Sequence, residues 1–94
     1  MILALANQGS GKMLGIASGG LAVGAQAVQW TNTGVTDEQW TLAVSGSYYT
    51  IQNANSTLDL GIQSGSTANG AYAVQWTADG SLNQQWKLVQ VSGD

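Results

Sequence analysis

The sequence predicts an all-β protein, and three observations carry that prediction. The chain repeats itself without a gap: residues 25–40, AQAVQWTNTGVTDEQW, return as residues 71–86, AYAVQWTADGSLNQQW, so that Trp30 falls on Trp76 and Trp40 on Trp86, 46 positions on. Turn-forming residues interrupt the chain every eight to twelve positions or so and leave short apolar or β-branched runs between them. No stretch sustains a helical period, and the 94 residues include 13 Gly and no Pro. A repeated unit of this size seldom closes a core alone, so the two copies are expected to share one.

The first unit covers residues 1–46 and the second residues 47–94, together one module. Identities across the offset cluster at Leu14-Gly15-Ile16 and Leu60-Gly61-Ile62, at Ala27–Trp30 and Ala73–Trp76, and at Gln39-Trp40 and Gln85-Trp86. Residues 48–52 are aromatic and β-branched and read as a strand, with residues 2–5 as their apolar counterpart. Turn residues 53–57 and 7–11 follow. A second strand passes through Leu60-Gly61-Ile62, after which residues 64–70, SGSTANG, form a loop, as do residues 18–24. Residues 71–76 make a third strand, 77–80 a Gly-containing turn, and 86–89 a fourth strand.

Composition excludes several function classes. Two lysines face five carboxylates, a net charge of −3, so neither nucleic acid nor an anionic membrane is an expected partner. There is no His and no Cys, which removes the commonest zinc ligand, the commonest general base and any disulfide. No cofactor and no metal is expected. No apolar run reaches membrane-spanning length, so no membrane insertion is expected, and residues 1–6 lack the charged start of a signal peptide. The compartment is not legible in the residues.

A unit of this length ending in Gln-x-Trp, behind the SGSTANGA loop and Val74-Gln75-Trp76, resembles the ricin-B-type lectin repeat, shared with family-thirteen carbohydrate-binding modules. The resemblance runs from end to end of the chain. It implies a β-trefoil, three units about a pseudo-threefold axis, and shallow sugar pockets, one per unit; relatives of this kind are secreted. The implied pocket uses an Asp in the second strand, an aromatic residue at the end of the third, and an Asn-Gln pair before the last Trp. Here the Asp position holds Gly61, and Gly15 in the first unit. Asp59, two residues earlier, falls on the same face as Gly61 by strand alternation.

The residues expected to bind a mono- or oligosaccharide are therefore Trp76, Asp79, Asn83, Gln84 and Asp59, with Trp30 in the first unit. An indole stacks on the apolar C–H face of a sugar, while carboxylates and amides take its hydroxyls. The alternative for Asp79 and Asn83 is turn chemistry, and for Trp30 and Trp76 it is cover for the preceding loop. Thr33, Asp37 and Glu38 replace the second unit's set without its amide donors, so the first pocket is expected to be weaker. Trp40 and Trp86 belong to the core. A glycosidase would have to use Asp59 with Asp79, with nothing to bury either and no deep cleft, so no catalytic residue is expected. The rival to a lectin is a structural or designed trefoil scaffold with no ligand, which accounts for the missing Asp and for the absence of His and Cys. Two units cannot close a three-unit trefoil. Six units can close two, so a homotrimer is expected, with residues 44–47 crossing between trefoils.

Overall fold

The computed structural model describes residues 1–90; the last four residues of the second unit, 91–94, lie outside the described residues. Seven strands form among the described residues: β1 (Ile2–Leu3), β2 (Met13–Ile16), β3 (Ala27–Trp30), β4 (Trp40–Ser45), β5 (Tyr48–Asn53), β6 (Asp59–Ile62) and β7 (Ala73–Trp76). The chain is all-β as the sequence predicts. The helical content among the described residues is four single 3₁₀ turns, at Ala17–Gly19, Thr36–Glu38, Gln63–Gly65 and Leu82–Gln84, two per unit at equivalent positions.

One antiparallel sheet runs β1-β4-β5-β6-β7, and a second pairs β2 with β3. The joint between the units is the β4–β5 hairpin, paired from Trp40↔Asn53 to Ser45↔Tyr48. Its two-residue turn is Gly46-Ser47, with Gly46 at φ 61°. Within a single chain the segment expected to cross between trefoils is therefore a tight hairpin, and the two units pack side by side. The fourth strand expected at 86–89 does not form. Trp86 exchanges both backbone hydrogen bonds with Tyr49, as Trp40 pairs with Leu3, and the strand goes no further. The reason lies in β4. That strand is held between β1 and β5, whereas, among the described residues, residues 86–89 are paired on one side alone, at Tyr49.

Turn chemistry is repeated residue for residue. Asn7 Oδ1 accepts from the N–H groups of Gly9 and Ser10, and Asn53 Oδ1 accepts from those of Asn55 and Ser56. Such side-chain mimicry of a turn is what Asn offers at these positions. Gly11 closes the first turn at φ 74°, but its counterpart Thr57 adopts φ 63° with a β-branched side chain, a conformation that favours glycine.

The core is small. Ile16, Trp40, Ile51 and Leu60 form its buried cluster, with Leu3, Leu14, Leu42 and Trp86 half-buried against it. Trp40 is fully buried and donates Nε1–H to Leu14 O at 3.0 Å, and Trp86 makes the same bond to Leu60 O. Around this core Ile2, Val44, Leu82, Leu88 and Val89 stand more than half exposed. The accessible surface is 6063 Å², against about 5,100 Å² for a closed monomer of this mass. Two units leave one side of the barrel open.

Thr57→Gly is expected to stabilise the chain by about 1 kcal/mol in urea unfolding, because it removes a left-handed β-branched residue from a turn whose twin already uses glycine.

Candidate functional site

Each unit carries one groove, and the two are built from equivalent positions. The second is walled by Ile62, Ser64, Gly65, Val74, Trp76, Asp79, Ser81 and Asn83 and encloses about 410 Å³. The first is walled by Ile16, Ser18, Gly19, Val28, Trp30, Thr33, Val35 and Asp37, with about 390 Å³. These eight positions of one groove each lie 46 residues from their partners in the other; Gly24 and Gln63 also line the second groove, and Glu38 the first. The floor is a strand pair, β6 with β7 or β2 with β3, and the register Asp59↔Trp76 or Met13↔Trp30 puts each Trp at the open end. Both indoles are exposed, Trp76 by 45% and Trp30 by 63%. The loop after each second strand turns at Ser64 or Ser18, held near φ 57°, and forms the wall facing the indole.

The Asn-Gln pair divides its work. Asn83 Oδ1 accepts from Ile62 N at 3.1 Å and its Nδ2 donates to Ser81 Oγ at 3.2 Å, so the amide sits at the groove wall with one N–H left over. Gln84 is 2% exposed. It is committed to backbone, donating Nε2–H to Thr77 O at 2.9 Å and accepting from Asp79 N at 3.3 Å, which fixes the loop that carries Asp79. Glu38 does the same for the first unit, accepting from Thr33 N and Thr33 Oγ1.

Gly61 and Gly15 have a physical reason. A Cβ at Gly61 would lie 2.6 Å from Asn83 Oδ1, and one at Gly15 would lie 3.0 Å from Asp37 Oδ2. Asp37 Oδ2 accepts from Ile16 N at 3.3 Å, matching the Asn83 bond to Ile62 N. The side chain of the 3₁₀ turn thus fills the space over the glycine and takes the strand's free N–H. Sequence reasoning treated the missing carboxylate as a loss and did not see this replacement. The available signal was the pairing of Gly15 with Asp37, repeated 46 positions on as Gly61 with Asn83.

Asp79 is exposed at the groove mouth. Hydrogen bonds from Ser81 Oγ and Ser81 N to its Oδ1 hold its carboxyl below the usual carboxylate range, which keeps it ionised as an acceptor. Asp59 is placed elsewhere. It lines a separate crevice with Thr41, Thr50, Gln52, Gln84 and Gln85, and Ser81 borders both spaces, so the 3₁₀ turn Leu82–Gln84 is the ridge between Asp59 and the Trp76 groove. Strand alternation puts Asp59 and Gly61 on one face as expected, but that turn stands over Gly61. Asp59 is 5% exposed. Burial, aided by the negative charge of Asp79, pushes its carboxyl above the ordinary value of 3.8. The structure therefore brings Trp76, Asp79 and Asn83 together, leaves Gln84 behind them as a brace, and sets Asp59 and Trp30 apart.

Comparisons with known proteins match the repeated strand-and-turn unit along nearly the whole chain. The profile of the ricin-type β-trefoil lectin domain-like family fits residues 3–71 and again residues 36–94. The chain belongs to that family. Among solved structures it is similar to ThreeFoil, a designed threefold-symmetric protein, with a TM-score of 0.92 and 32% identity over 96% of this chain. It is also similar to part of an exo-β-1,3-galactanase from Clostridium thermocellum, with a TM-score of 0.88 and 36% identity, again over 96% of this chain. The chain spans 65% of the designed protein's length and 20% of the galactanase's. No curated protein sequence matches it. The fit to a threefold-symmetric trefoil over nearly the whole chain places its two units as two lobes of that fold.

Two expectations follow. Gly61→Ala should destabilise by about 1–3 kcal/mol in chemical denaturation, and most of that loss should vanish in an Asn83→Ala background, the signature of a shared contact. Asp59→Asn should raise the thermal midpoint at pH 7 and change it little near pH 3. A folded-state pKa raised above 3.8 favours the folded state at low pH, and that advantage is lost as pH rises through the raised value.

Proposed function

We propose that this chain is a non-catalytic carbohydrate-binding module whose working groove lies in the second unit. The observation that carries the reading is the exposed Trp76 indole flanked by Asp79 and Asn83, an apolar platform beside an acceptor and an amide that still has a free N–H. A pyranose offers the matching pattern, a C–H face edged by hydroxyls. Trp76 stacks on the ring, Asn83 Nδ2 donates to one hydroxyl, and Asp79 accepts from another. Gln84 holds the loop that presents Asp79, and Asp59 lies across the ridge rather than touching the sugar.

The first groove keeps its platform, Trp30, but changes its polar rim. Val35 replaces Ser81, Asp37 replaces Asn83 and Thr33 replaces Asp79, so no amide donor faces the ligand. It is the weaker site. Neither Asp79 nor Asp59 is placed for bond cleavage: Asp79 is solvated and ionised, and Asp59 lies across the ridge from the groove.

Shallow grooves with one aromatic ring bind weakly, with dissociation constants of about 0.1–1 mM per site. Useful affinity then comes from presenting several copies together. The two units, residues 1–46 and 47–94, act as one module, and three chains bring six units, enough for two closed trefoils. The open barrel side and the surface excess over a closed monomer support a homotrimer. The Gly46-Ser47 hairpin is the place where one chain spans two trefoils. A ligand-free scaffold is the competing reading, and nothing in the groove favours it over a sugar.

The test combines light scattering with a glycan screen of the same sample. A particle of three times the 9.7 kDa chain mass is expected, with a sugar-specific signal that free sugar abolishes. Trp76→Ala should remove that signal, while Trp30→Ala should keep most of it. No glycan signal from the correctly assembled parent chain would leave the scaffold reading standing.

A further inference from the structure

The contact that joins the two units inside one chain exists a second time as two unpaired halves. Inside the chain, the loop of the first unit lies across β7. Gln75 is fully buried there. Its Nε2 donates to Gly20 O at 2.9 Å and to Ala22 O at 3.0 Å, its backbone N donates to Ala25 O at 3.0 Å, and Gly24 N donates to Gln75 O at 2.8 Å. Gln26 bridges Val74 in the antiparallel sense. The same loop supplies one wall of the Trp76 groove, since a Cβ on Gly24 would meet the Trp76 ring at 3.6 Å.

Gln29 is the counterpart of Gln75, and its Oε1 accepts from Ser10 Oγ as Gln75 Oε1 accepts from Ser56 Oγ. Its side chain is thus already oriented. It is nevertheless exposed, and its Nε2 has no partner among the described residues. The counterpart of the docking loop is residues 64–71. It has the docked shape without being docked: Ser64 matches Ser18 at φ 57° against 56°, Gly65 matches Gly19 at 59° against 60°, and Gly70 matches Gly24 at 85° against 92°. The loop of residues 18–24 is occupied on its own chain's Gln75, so the free loop and the free glutamine are the two that remain.

We infer that the loop of residues 64–71 docks on the Gln29 face of β3 in a second copy of this chain, and that the Trp30 groove is completed by Gly70 of that copy. The amide of Gln29 takes the carbonyls of Ser66 and Ala68, its backbone pairs with Gly70 and Ala71, and Tyr72 comes to bridge Val28. Four units cannot fill three places, so the receiving copy offers its first unit alone. Its hairpin opens at Gly46-Ser47, and its own contact of residues 18–24 with Gln75 is released to be remade between copies. The greater exposure of Trp30, 63% against 45% for Trp76, reflects this missing wall. The inference rests on the homotrimer reading above and specifies which surfaces meet.

The test uses the full chain, which has no cysteine of its own. The bridge of Gln26 with Val74 lacks mutual hydrogen bonds, since Gln75 N and Ala25 O bond beside it. Such pairs have Cα atoms about 4.5 Å apart, within disulfide reach. The V28C/Y72C chain, refolded and oxidised, is expected to give two- and three-chain species on a non-reducing gel, reversed by reductant. The single variants V28C and Y72C should link to each other only when refolded as a mixture. Gln29→Ala, which costs the isolated chain little, should keep the parent's circular dichroism and weaken assembly by about tenfold or more in light scattering. A trimer that forms no V28C–Y72C link, or that ignores Gln29→Ala, overturns this docking and leaves the assembly reading intact. A parent chain that is monomeric overturns both.

Discussion

The side-chain amide of Gln75 is the joint on which the two-unit arrangement depends. It is neutral, buried, and fully used: two carbonyls of the neighbouring loop accept from its nitrogen, and Ser56 donates to its oxygen. A buried amide left unpaired would cost about 1–3 kcal/mol, so the loop of the first unit and β7 of the second are tied together or both exposed. In a chain whose hydrophobic cluster has four buried members, a polar joint of this kind carries an unusual share of the specificity. Apolar burial brings the units together, and the amide decides which faces meet.

Much of the fold was legible because the repeat supplies two readings of each element. Strands β5, β6 and β7 sit where the aromatic, Leu-Gly-Ile and Val-Gln-Trp runs place them, and Trp40 and Trp86 point inward with the same Nε1–H bond. The 3₁₀ turns escaped notice because three residues give no period to detect. The strand expected at 86–89 failed for a reason outside its own sequence. Its residues match those of β4, but a strand needs a neighbour on the side where it is to extend, and that neighbour belongs to a third unit.

The site was less legible than the fold. Trp76, Asp79 and Asn83 converge as their spacing suggests, yet Gln84 turns inward and Asp59 falls across the ridge. Sequence spacing along a strand fixes which face a residue takes. It does not show what stands above that face. Here the Leu82–Gln84 turn stands there, and it is close enough that only glycine fits beneath Asn83. A missing carboxylate and a nearby amide are therefore one feature read from two ends, a space vacated on the strand and filled from the turn.

The same division explains how two grooves on one backbone differ in what they can hold. Residues that shape the backbone are kept in kind: Glu38 and Gln84 both brace the loop from within, Gln39 and Gln85 both donate to a loop glycine carbonyl, and both Trp40 and Trp86 anchor the second strand. Residues that face the groove vary more, within the limit that Asn83 and Asp37 both keep an oxygen that accepts from the second strand. Thr33, Val35 and Asp37 stand where Asp79, Ser81 and Asn83 stand, and the change removes the amide donor and shifts the carboxylate from the loop to the 3₁₀ turn while keeping an exposed indole. A duplicated unit with its scaffold contacts pointing inward and its recognition contacts pointing outward can thus diverge in binding while both copies remain able to dock. That separation keeps Gln29 competent to receive a loop even though the groove beside it has lost the polar rim of its twin.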